Sequence, residues 1–125
     1  MFTTIYLGFQ ALLYVGLAMW CTVAPDGTSR AIGFGLTNNS ARSEYITVYG
    51  GLELGMGLFF LLTALNPDWR RFGVLFALCA YGCLATFRLG TLLFLSDVGT
   101  FPKLMLAVEI TMAVLAGLLF YRSGD

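Results

Sequence analysis

The sequence predicts an all-α fold: one integral membrane domain over residues 1–125, built as an antiparallel four-helix transmembrane bundle. Three observations predict it. Of 125 residues, 58% are hydrophobic and only 11% are charged, with a mean hydropathy of +0.82. A soluble domain this small needs about a quarter charged residues to cover its large surface. Four apolar stretches each approach the ~20 residues that cross ~30 Å of hydrocarbon. Turn-forming residues separate them.

The first stretch runs from 4 to 23 and closes at Ala24-Pro25-Asp26-Gly27. Its leading Met1-Phe2-Thr3 carries no base, and no small-residue cleavage site follows, so it reads as an uncleaved span. Residues 24–44 form the one long loop. It mixes Arg30 and Arg42 with the apolar run Ala31-Ile32-Gly33-Phe34-Gly35-Leu36, a composition suited to the membrane interface. Asn38, Asn39 and Ser40 are helix-start residues, so the second helix is expected to begin near Ser40, ahead of its apolar stretch at 45–65. Asn66-Pro67-Asp68 ends that stretch. The third runs from 72 to 95 and ends at Ser96-Asp97-Val98-Gly99, and the fourth runs from 104 to 121. Hydrocarbon supplies no partners for free N–H and C=O groups, so each stretch must be helical.

The composition also excludes function classes. Seven bases balance seven acids, which leaves no basic footprint for nucleic acid. The absence of histidine removes Ser-His and Cys-His nucleophile systems and histidine metal sites. Cys21, Cys79 and Cys83 have no C-x-x-C spacing, so neither a disulfide framework nor a zinc site is indicated. Cys79 and Cys83, one turn apart, read as small apolar residues of a buried helix face. No cofactor is implied. Arg70, Arg71 and Arg122 on one side balance Arg30, Arg42 and Lys103 on the other. Arg70-Arg71, nearest a membrane edge, tilt the expectation toward both termini in the cytoplasm.

The informative residues are the ionisable ones inside the spans: Glu53, Arg88 and Glu109. Each costs about 2.5 to 3.5 kcal/mol at a helix centre, and something in the folded protein must offset that. At 1.5 Å per residue they lie roughly 12, 10 and 8 Å below the first-loop surface. Three helices of alternating direction thus bring their charges to one half of the membrane. A guanidinium presents a fork of donors that fits carboxylates, so a Glu–Arg–Glu cluster is expected. Two acids and one base leave a net charge of −1, so one acid is expected to keep its proton; a bound cation would serve the same balance, but Arg88 nearby disfavours it.

Gly50, Glu53 and Gly57 share a helix face by their spacing, where the glycines serve close packing within the bundle or, as the alternative, leave room beside Glu53 for a ligand. Gly51 and Gly55 form a G-x-x-x-G pair on the adjoining face, where another helix packs closely. In the third span Tyr81, Ala85, Arg88 and Leu92 lie along one stripe. Tyr81, Gln10 and Tyr14 offer buried polar groups, and Tyr49 stands one turn before Glu53. Trp20, Tyr45, Trp69 and Tyr121 fit an aromatic belt at the interfaces.

Arg42, the run Tyr49-Gly50-Gly51-Leu52-Glu53-Leu54-Gly55-Met56-Gly57-Leu58, then Phe87-Arg88-Leu89-Gly90 and Val108-Glu109-Ile110 carry a resemblance. Over most of its length the chain is similar to bacterial four-span membrane proteins grouped as domain of unknown function 4345. The matching positions are Tyr49, Gly50, Gly51, Leu54, Gly55, Arg88 and Glu109. The resemblance implies a four-helix bundle of the bacterial inner membrane and implies no activity.

The expected function is to bind or carry an amphiphilic, lipid-like molecule. Its apolar part would lie in the bundle and its polar head at Glu53, Arg88 and Glu109, with Tyr49, Tyr81, Gly50 and Gly57 around it. An accessory subunit of a larger membrane complex is the alternative, with the glycine face as its contact. An intramembrane lipid isomerase comes third, because a Glu pair with Arg offers proton transfer but no nucleophile or metal set.

Overall fold

A computed structural model of the protein describes residues 1–122. Among these residues there are helices and no strands. Four helices are long and apolar enough to cross a membrane: Phe2–Val23, Asn39–Leu65, Pro67–Phe94 and Thr100–Arg122. They make the chain a multi-pass membrane protein. A short helix, Pro25–Ala31, follows the first span.

Local chemistry sets the boundaries. Asn38 caps the second span, its Oδ1 accepting from the Ala41 N–H at 2.9 Å, which satisfies an otherwise orphaned donor. The helix therefore starts at Asn39, and residues 39–44 are helical rather than interfacial loop. Asn66 accepts from the Asp68 N–H at 3.1 Å and opens a 3₁₀ turn, Pro67–Trp69, that leads directly into the third span. The fourth span starts at Thr100, four residues ahead of its apolar stretch. Proline is tolerated in a helix's first turn, so Pro102 does not delay it.

The second span changes pitch. Residues Ile46–Leu52 form a π-helical segment between α-helical Asn39–Tyr45 and Glu53–Leu65. Gly50-Gly51 lie inside it, where the missing side chains leave the wider turn unobstructed. The hydropathy pattern gives no sign of it. π segments recur at functional sites, and this one ends immediately before Glu53.

Cross-helix pairs give the register. Gly50 lies against Thr22, and Gly57 against Val15 and Ala11, so the first two spans run antiparallel. Arg88 meets Glu109 and Leu78 faces Gly117, so the last two do as well. The two hairpins join through Leu7, Thr63 and Gly73, through Phe59 and Phe76 with ring centroids 5.1 Å apart, and through Tyr6, whose hydroxyl donates to the Met112 carbonyl at 3.1 Å. These contacts all lie in the half of the bundle nearer the Asn66 turn. The buried residues of the third span, Gly73, Val74, Ala77 and Tyr81, also lie in that half. Toward the first loop the hairpins part.

Glycines allow the tight contacts, though not those expected. A Cβ on Gly57 would lie 2.9 Å from the Val15 nitrogen and 3.3 Å from the Ala11 oxygen. A Cβ on Gly50 would lie 2.5 Å from Thr22 Oγ1. Both glycines therefore serve helix packing and leave no ligand space. Gly51 and Gly55, expected at the close contact, have nothing within 4 Å of an added Cβ. Gly50 and Gly57 share one face, as their seven-residue spacing predicts, and it is that face which meets the first span.

Candidate functional site

The site is built from the two hairpins where they part. On one side Arg88 and Glu109 form a bidentate ion pair. Arg88 Nε donates to Glu109 Oε1 at 2.9 Å and to Oε2 at 2.8 Å, and Nη2 donates to Oε1 at 2.6 Å. The Glu109 side chain is 8% exposed and that of Arg88 29%. In hydrocarbon each charge alone would be costly, and a fork of N–H donors on a carboxylate is the geometry that compensates best.

Glu53 belongs to the other hairpin and does not join the pair. Its Oε2 is buried and has no hydrogen-bond partner among the described residues. Two tyrosines stand between it and the pair. Tyr14 lies within electrostatic reach of both Glu53 and Glu109, and Tyr49 within reach of both Glu53 and Arg88. The expected three-way cluster is therefore a closed Arg88–Glu109 pair, with Glu53 outside it on the other hairpin.

Above Glu53 the first loop contributes a wall. The short helix Pro25–Ala31 ends in a Schellman motif: the Gly33 N–H donates to the Arg30 carbonyl at 3.0 Å and the Phe34 N–H to the Ser29 carbonyl at 2.8 Å. Gly33 adopts φ 83°, a left-handed conformation that glycine takes without strain. The motif turns Phe34 over Tyr45 and Tyr49, with ring centroids at 6.5 and 6.1 Å, both edge to face. Tyr45 and Tyr49 stack on each other at 4.6 Å. An Arg42–Asp26 ion pair, with the one nitrogen Nη2 donating to Oδ1 at 2.7 Å and Oδ2 at 2.9 Å, fastens the short helix to the start of the second span. Between loop and helix lies a cavity of about 430 Å³, lined among others by Phe34, Glu44, Tyr45, Val48 and Tyr49.

Tyr45 is thus no belt residue. It is buried, and its hydroxyl donates to Cys21 Sγ at 3.6 Å. Sequence reading also missed Phe34, because a loop phenylalanine gains a role only through the turn that aims it. Cys79 and Cys83 are exposed rather than buried, on the side of the third span that has no helix neighbour.

Tyr81, expected near the head-group site, belongs to a different polar group. Its hydroxyl donates to Gln10 Oε1 at 2.6 Å, and Gln10 Nε2 donates to Met112 Sδ at 3.4 Å. Tyr14 packs beside it, with ring centroids 6.4 Å apart. Tyr81 lies seven residues, or roughly 10 Å of helix, deeper than Arg88. Its hydrogen-bonding capacity is used inside the bundle.

No curated protein and no solved structure matches the chain. A family model matches residues 2–120, and that span includes both hairpins, the π segment, Glu53 and the Arg88–Glu109 pair. The chain belongs to the family described as Domain of unknown function (DUF4345).

Proposed function

We propose that this membrane protein binds an amphiphilic, lipid-like molecule, with its polar head at Glu53 beside the Arg88–Glu109 pair and its apolar part along the parted hairpins. One observation carries the reading: Glu53 has a buried carboxyl oxygen with no partner among the described residues. Such an atom costs about 1 to 3 kcal/mol or more when left unsatisfied. Intramembrane ionisable groups that are not paired mark ligand or ion pathways. The apolar surroundings and the few convergent polar groups fit a lipid-like guest.

The same reading sets the bundle in a bacterial inner membrane with both termini cytoplasmic. Arg70 and Arg71, at the start of the third span, support that orientation. An accessory role in a larger complex is the second reading. Gly51 and Gly55 favour it, since they leave a flat, open strip on the second span.

Native mass spectrometry on protein purified in mild detergent with a lipid extract tests both. A retained small molecule that is lost in Glu53→Gln supports binding. A large co-purifying complex that survives Glu53→Gln, with no retained small molecule, supports the accessory role and overturns the first reading.

A further inference from the structure

We infer that the occupant of this site is a cationic amphiphile, with an ammonium head and a hydrocarbon tail, rather than an anionic or phosphate-headed one. The inference rests on the amphiphile reading above and names the chemistry of the head.

Charge balance is the first argument. The Arg88 fork is engaged by Glu109 through Nε and Nη2, so the one strong anion-binding group of the site is already used. Glu53 remains, with its buried unpartnered oxygen. With all three groups ionised the site carries a net charge of −1. A head of +1 against ionised Glu53 brings it to zero, whereas an anionic head leaves −1 even with Glu53 protonated, in a medium that penalises every uncompensated charge.

The second argument comes from the cavity under the first loop. Phe34, Tyr45 and Tyr49 present aromatic rings to it, the Phe34 ring standing at 79° and 77° to the two tyrosines. Glu44 is the one charged side chain among its lining residues. Aromatic faces with a carboxylate favour organic ammonium groups. Arg42 is held by Asp26, and Arg30, whose Nε donates to the Asp26 backbone carbonyl at 2.9 Å, is not among the residues that line the cavity. Tyr49 links the two regions, since it lines the cavity and lies within electrostatic reach of Glu53. The exposed apolar side chains Leu52, Leu84 and Phe87 on the two hairpins offer surface for the tail.

The test uses the full chain in nonionic detergent and three probes: dodecyltrimethylammonium, dodecyl phosphate and tetramethylammonium, titrated by native mass spectrometry. The expected result is binding of dodecyltrimethylammonium, weakened at least tenfold in Glu53→Gln and by no more than a few-fold in Glu53→Asp, with helicity of both variants unchanged by circular dichroism. Tighter binding of dodecyl phosphate, or ammonium binding indifferent to Glu53→Gln, overturns the cationic head and leaves the amphiphile reading standing. Tetramethylammonium binding as tightly as the long-chain amine overturns the amphiphile reading, because the tail then contributes nothing. Binding of none of the three overturns both.

Discussion

Arg88 and Glu109, on successive antiparallel helices, close on each other through Nε and Nη2 at 2.6 to 2.9 Å, and Glu53 is left outside the pair with an unpartnered oxygen. The pairing is selective for a topological reason. The third and fourth spans form one hairpin with a continuous contact, whereas Glu53 is carried by the other hairpin, which meets them closely only near the Asn66 turn.

Breaking this pair should be costly and removing it whole less so. Arg88→Met leaves a buried carboxylate uncompensated and is expected to destabilise the protein by about 3 kcal/mol. The double variant Arg88→Met with Glu109→Met should recover most of that loss. Denaturant-induced unfolding in detergent, followed by circular dichroism, measures both. Equal losses in the single and double variants would show that the pair contributes no compensation.

Glu53 is expected to be held as the neutral acid when no cation lies against it. Among the described residues Tyr14 of the first span and Tyr49 of its own span are the titratable groups that face it, and Arg88, the one base inside the four apolar stretches, is committed to Glu109. Infrared difference spectroscopy should show a protonated-carboxyl band near neutral pH that disappears in Glu53→Gln and persists in the double methionine variant. A spectrum of ionised carboxylates only would contradict this assignment.

The glycines of the second span should divide by contact rather than by motif. Gly57→Ala places a methyl group against the Val15 backbone nitrogen at 2.9 Å, an overpacking expected to cost about 1 to 3 kcal/mol. Gly51→Ala and Gly55→Ala meet open space and should be neutral, or stabilising by up to about 1 kcal/mol through helix propensity. Thermal melting of the three variants in one detergent orders them.

Tyr81→Phe should lower stability without affecting ligand retention. It removes the donor to Gln10 Oε1, leaving a buried acceptor unpaired at a cost of about 1 to 3 kcal/mol. Loss of a bound amphiphile in this variant, with its fold intact, would return Tyr81 to the site.

By itself the sequence determined the four spans, their breaks, a second helix that starts ahead of its apolar stretch near Ser40, and the matching depth of Arg88 and Glu109. These follow from hydropathy, turn chemistry and a fixed rise per residue, all of which are local. Tertiary structure decided which acid Arg88 holds, because pairing depends on which helices remain in contact to their ends. It also decided which glycines pack and where Phe34 and Tyr45 point. The π segment at Ile46–Leu52 rotates one face of the second span relative to the next, and the Schellman turn at Gly33 folds the loop back over it. Helical spacing presumes a regular pitch and no returning loop, so neither change could be read from residue intervals.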